Sequence, residues 1–184
     1  MEQESKKTML IVIWCSAAVL LLGGALWGWF YLSQFSSYHD KQYNFTLKYP
    51  VKWEKMEKFQ GTAVTLRRPK QTALDTFQPN VNITVQEVPG KIATLASFSE
   101  AIMKQMKAVF KTNVIVLEDK SCTFADRPAH LLVLAAPKPS NLKLRFVWTI
   151  KGSFAYIFTF IAQGNQYNEL VPTIKGMVDS FELK

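Results

Sequence analysis

The 184-residue sequence is poor in the residue types that cross-linking and most catalysis need. It holds 2 cysteines and 8 glycines. So few cysteines exclude a disulfide-dense scaffold, and so few glycines exclude a collagen-like repeat. It also holds only 2 histidines, and neither C-x-x-C nor H-x-x-x-H spacing occurs. No metal site is read from it, and no cofactor is expected. G-x-S-x-G is missing too, so the sequence offers no nucleophile elbow. Acidic residues are in deficit, 14 against 22 basic, for a net charge of +8. Hydrophobic residues are not scarce: at 48% they are too many for a disordered chain. The length admits one ordinary domain and an appendage.

The apolar residues are concentrated at one end. Met9 to Leu32 carries no charge and would reach roughly 36 Å as a helix. That suffices to cross a bilayer core of about 30 Å with some tilt. Backbone groups in hydrocarbon must be satisfied internally, so a helix is expected. Trp27, Trp29, Phe30 and Tyr31 gather at its far end, where an interfacial belt would sit. The competing reading is a signal peptide, whose apolar region is about 7–15 residues. This run is longer, and no A-x-A pattern follows Leu32. Bulky Trp14 before Cys15 does not match a lipidation site. Lys6 and Lys7 precede the segment, whereas 33–40 has no Lys or Arg. That bias favours a cytoplasmic N-terminus in the inner membrane and an extracytoplasmic C-terminal domain. The expected division is 1–8 cytoplasmic, 9–32 transmembrane, 33–41 linker and 42–184 domain.

Within the domain, period-two alternation predominates. Val81, Ile83 and Val85 alternate with Asn80, Asn82, Thr84 and Gln86. Leu142, Leu144, Phe146, Trp148 and Ile150 do the same against Lys143, Arg145, Thr149 and Lys151. Residues 43–49, 63–67, 114–118 and 129–134 read as further strands. Residues 154–162 read as a strand covered on both faces, entered by a tight hairpin at Lys151-Gly152-Ser153. One helix is expected over 97–110, opened by a Ser97-x-x-Glu100 capping box. Its apolar stripe is Ile102, Met103, Met106, Val109 and Phe110. Another is expected near 168–180, with Pro172 tolerable only in its first turn. Strands, helix, strands, helix make an α+β domain with helices on a mostly antiparallel sheet.

The run Tyr43-Asn44-Phe45-Thr46-Leu47-Lys48-Tyr49-Pro50-x-x-Trp53 resembles the opening of PsbP-like domains. Asp126-Arg127-Pro128-Ala129-His130-Leu131-Leu132 and the closing Ser180-Phe181 follow the same order, so the resemblance covers about residues 42–183. It implies an α/β/α sandwich around a central antiparallel sheet. That fold is shared by the photosystem II extrinsic subunit, a Ran-binding nuclear-import factor and bacterial envelope proteins. The family shares no catalytic set to carry over. Pro50, lacking an N–H, ends its strand, and Trp53 is expected to fold back as a core plug.

Candidate sites are few. Cys122 and His130 have the residue types of a nucleophilic pair but no informative spacing. His39 and Asp40 read as a solvated pair in the linker. Residues 1–32 hold two Lys and two Glu, so the domain carries the whole +8. Lys48, Lys52, Lys55, Lys58, Arg67, Arg68 and Lys70 cluster in sequence as a basic surface for an acidic protein partner or anionic lipid. No nucleic-acid recognition motif accompanies them. The expected function is a non-enzymatic, single-pass, extracytoplasmic docking or assembly module of the cell envelope. The alternative is a small-ligand or lipid-binding domain at the membrane surface. Phe154, Tyr156, Phe158 and Phe160 would form its apolar ligand face.

Overall fold

A computed structural model describes residues 34–73, 75, 77–90, 94–110, 114–136 and 141–184. The expected spanning segment, 9–32, lies outside these. Among the described residues no helix is long and apolar enough to cross a membrane. The chain divides into two units, Met1–Ser36 and Ser37–Lys184, and the second carries the fold described below.

Among the described residues, ten strands form two sheets. The larger runs from β3 (Glu54–Glu57) through β4 (Val64–Arg67), β5 (Asn80–Glu87), β9 (Phe154–Gln163), β8 (Leu142–Lys151) and β7 (Arg127–Ala136) to β6 (Ile115–Phe124). All its neighbours are antiparallel. The smaller sheet orders β1 (Phe35–Asp40), β2 (Phe45–Pro50) and β10 (Glu182–Leu183). Helix α1 (Leu95–Phe110) carries the chain from β5 to the far edge of the large sheet, and α2 (Gly164–Asp179) follows β9.

The alternation read in the sequence decides which face each side chain takes. One face of the large sheet holds Val64, Leu66, Val81, Ile83, Phe158 and Phe160, each fully buried, beneath Leu170, Ile174 and Met177 of α2. The other face holds Leu132, Leu134, Leu144, Phe146 and Trp148, packed against Phe98, Ile102, Met103 and Met106 of α1. One helix thus lies on each face of an antiparallel sheet.

An aromatic chain joins the small sheet to the large one. Phe45 of β2 stacks on Phe181 with centroids 5.0 Å apart, and Phe181 packs on Phe124 at 4.6 Å. Phe124 meets Phe158 at 6.3 Å. Such pairs add about 0.5–1.5 kcal/mol each beyond the area they bury. Trp53 is buried in the same core, as expected of a plug, and its backbone N–H donates to the Pro50 carbonyl at 2.9 Å.

Three expectations are corrected. Residues 35–40, read as part of a linker, form β1. Within it Asp40 is buried, accepting from the Gln42 and Tyr43 N–H groups at 2.9 and 2.8 Å and from the Tyr38 hydroxyl at 3.1 Å. It is a turn-former, not half of a solvated pair with His39. Helix α1 starts two residues before Ser97, and Thr94 caps it, its Oγ1 accepting from the Ser97 N–H at 3.2 Å. Helix α2 starts at Gly164, so Pro172 falls in its interior, not its first turn.

Candidate functional site

The site is set by how far α1 reaches. Register across the large sheet puts Arg67, Asn80, Ile161 and Leu144 in one row on the α1 side. The next row is Thr65, Asn82, Thr159 and Phe146, and the next runs Thr84, Ile157, Trp148. The first two rows are polar at β4 and β5, the third is polar at β5, and all three are apolar at β8. Helix α1 stands over the apolar end, so the polar end forms an open ledge. Two clefts occupy the step. One, of about 400 Å³, is lined by Ile102, Met106, Val109, Trp148, Ile157 and Ile161 among others. The other, of about 410 Å³, is lined by Phe59, Thr65, Arg67, Asn80 and Asn82 among others. Thr84, Thr159 and Ile161 line both, so the clefts are one groove. Either volume suits a small ligand.

The ledge is a connected polar network. Thr65 Oγ1 donates to Asn82 Oδ1 at 2.7 Å, and Asn82 Nδ2 donates to Asn80 Oδ1 at 2.9 Å. Asn80 Nδ2 donates on to the Gln78 carbonyl at 3.1 Å. The chain fixes the orientation of each amide. Arg67 closes the ledge, its guanidinium 5.8 Å from the Phe59 ring centroid. Phe59 sits in a tight turn, Phe59–Gly61, where Lys58, Gln60 and Gly61 all take positive φ.

The seven basic residues read from the sequence do not form one free surface. Arg68 is bound to Glu169 of α2 at 2.8 Å and Lys55 to Glu57 at 2.7 Å. Lys48 lies on β2 of the small sheet, while Lys52, Lys58 and Lys70 lie exposed in loops. Only Arg67 lines the groove. The proposed aromatic ligand face is corrected more sharply. Phe158 and Phe160 are wholly buried on the α2 side, where Phe160 stacks on Tyr167 at 5.2 Å. Tyr156 is buried among them, and Phe154, 37% exposed, packs edge-on to Tyr43 at 6.0 Å. That face is filled core. The groove is on the opposite side of the same sheet.

The residues with nucleophile or base chemistry are tied into structure. His130 Nε2 meets Asp119 Oδ1 at 2.7 Å, and its ring stacks on Trp148 at 4.7 Å. Trp148 Nε1 donates to Ser99 Oγ at 2.8 Å. Cys122 is half-buried; burial pushes its thiol up, and the nearby Lys120 and Arg145 charges offset this only in part. A raised thiol is a poor nucleophile. Among the described residues no group of His, Cys, Asp and Glu is placed to hold a metal.

The sequence reading passed over Thr65, Asn80, Asn82, Thr84 and Thr159 as groove residues. Their one signal was the wet face of β5, which is amide and hydroxyl where a purely solvated face would carry Lys or Glu.

Residues 33–183 match the family model described as PsbP. No curated protein sequence matches the chain. Among solved structures, the cyanobacterial PsbP (CyanoP) of Synechocystis sp. PCC 6803 is similar, with TM-score 0.62 and 12% identity over 82% of this chain and 93% of that one. LpqN of Mycobacterium tuberculosis, described as involved in cell envelope biogenesis, aligns with TM-score 0.58 and 11% identity over 81% and 90%. The Ran-binding protein Mog1p of Saccharomyces cerevisiae aligns with TM-score 0.55 and 8% identity over 81% and 95%. At these identities the likeness is one of fold.

Proposed function

The chain belongs to the PsbP family, and from that premise we propose that it is a non-enzymatic docking or assembly module of the cell envelope. Its domain is extracytoplasmic and held to the inner membrane by the single apolar segment 9–32. The observation that carries the reading is the groove beside α1: a shaped, partly polar recess whose lining holds binding groups and no acid–base or nucleophile pair. The side chains that have such chemistry serve packing elsewhere, as His130 does against Asp119 and Trp148. Envelope involvement of LpqN and Ran binding by Mog1p support a family fold used for recognition.

Crosslinking in intact membranes followed by mass spectrometry tests this. One dominant protein partner is expected. Deletion of 9–32 is expected to release the chain into the soluble fraction. A Lys184→Cys probe, in a background lacking Cys15 and Cys122, is expected to react with an impermeant thiol reagent from outside. A soluble full-length chain or a probe shielded on the cytoplasmic side would overturn the anchored, extracytoplasmic arrangement.

The groove specifically favours a second reading, a small-ligand site at the membrane surface. Native mass spectrometry of the purified chain is expected to show a retained small molecule that Thr159→Trp, which fills the junction of the clefts, displaces.

A further inference from the structure

We infer that the groove binds a single-chain glycerophospholipid, with its acyl chain under α1, its ester linkage at Thr84 and Thr159, and its phosphate on Arg67. The inference rests on the ligand-binding reading and names the ligand class.

Three features point to it, in the order of such a molecule. At one end the cleft walls are Ile102, Met106 and Val109 of α1 and Trp148, Ile157 and Ile161 of the sheet. One apolar cleft of about 400 Å³ gives room for one chain. Val109 is 67% exposed at its mouth, an apolar side chain that a bound chain would cover. At the junction of the clefts stand the Thr84 and Thr159 side chains, and neither hydroxyl has a hydrogen-bond partner among the described residues. They are placed to donate to ester oxygens. At the other end is Arg67. Its five donors form a planar fork suited to phosphate, and its nearest acid, Glu54 Oε2, is 3.9 Å away, beyond hydrogen-bond distance. Glu54 is 57% exposed and competes weakly. Phe59 braces the guanidinium. Arg68, next in sequence, is by contrast bound to Glu169 at 2.8 Å. Two strand steps separate Arg67 from the Ile161 row position, roughly 10 Å, so head and chain sites are adjacent without overlapping.

The test uses the full chain in phosphatidylcholine nanodiscs and a lysophosphatidic acid carrying a diazirine near the end of its acyl chain. Photolysis and peptide mapping should place the label within residues 102–109 and 157–161. Arg67→Gln should weaken labelling at least tenfold, Thr159→Trp should abolish it, and Lys48→Gln, on the small sheet, should leave it unchanged. Far-UV circular dichroism checks that each variant is folded. Three outcomes overturn the inference. Label confined to 9–32 or spread evenly would place no lipid in the groove. Equal labelling by a diazirine fatty acid, insensitive to Arg67→Gln, would leave no role for phosphate or ester. Full competition by glycerol 3-phosphate would make the site one for a free anion. Failure of the lysolipid with another small molecule still retained in native mass spectrometry overturns only the ligand class. Failure of both overturns the ligand-binding reading as well, and capture of a protein partner is independent of either.

Discussion

Trp148 has no exposed surface, so its indole N–H must find an acceptor inside the protein. Ser99 Oγ, on α1, is that acceptor at 2.8 Å. Ser99→Ala would leave a buried donor unpaired, which costs about 1–3 kcal/mol. Chemical unfolding should show that loss with an unchanged slope; a change of a few tenths would mean that another group takes the proton. Two phenols set a second expectation. Tyr38 donates to Asp40 and Tyr156 donates to the Tyr43 carbonyl at 2.9 Å. Burial, and then the Asp40 charge, push both above the ordinary tyrosine value. A raised folded value favours the neutral form, so its contribution is complete below the unfolded pKa of about 10. It is lost as pH rises through the folded values. Stability should hold to about pH 9 in this respect and decline above 10. Tyr156→Phe, which keeps the ring, should soften that decline in a denaturant series against pH.

Among the elements, α2 departs most from its sequence pattern. Proline within a helix lacks the N–H that would reach the carbonyl four residues back, here that of Asn168. Pro172 and Asn168 are both exposed, so the ring meets solvent and water can serve the carbonyl. Packing of Tyr167, Leu170, Ile174 and Met177 holds the helix through the defect. Proline costs about 3 kcal/mol against alanine in a helix interior, less the 0.4–1 kcal/mol or so by which it restricts the unfolded chain. Pro172→Ala should therefore stabilise the domain by about 2 kcal/mol in thermal or urea unfolding, and a loss of stability would count against this account of α2. The long strands were legible because β5 and β8 alternate almost without a break and β9 is an apolar run read as covered on both faces; each lies where it was expected, and the Gly152 turn joins β8 to β9. Strand β1 was not legible. Phe-Ser-Ser-Tyr-His-Asp alternates poorly, and its pairing depends on β2, which depends in turn on β10 at the far end of the domain. Both helix starts were misplaced for a local reason. Thr94 competes with Ser97 as a cap, and Gly164-Asn165 reads as a breaker until the β9 and α2 core fixes it.

At the scale of the molecule, the sheet is covered unequally, and that could not be read from the sequence. The wet face of β5 was visible, but that it borders an apolar cleft follows only from the order β4-β5-β9-β8 and from where α1 comes to rest. Helix α2 lies in the larger core, roofed by the small sheet and the Phe45, Phe181 and Phe124 stack. Helix α1 is held by Phe98, Ile102, Met103 and Met106, and the groove runs along its Ile102, Met106 and Val109 edge. Elements with less buried apolar contact open at lower free energy than the global transition. Amide exchange should thus be at least tenfold faster for α1 than for α2 and the central strands, a difference of about 1.4 kcal/mol. If the groove takes a ligand, occupancy should slow α1 and the facing part of β9 and leave α2 unaffected, because no residue of α2 lines either cleft. Uniform exchange across both helices would mean that the two cores open together and that α1 is no separate unit.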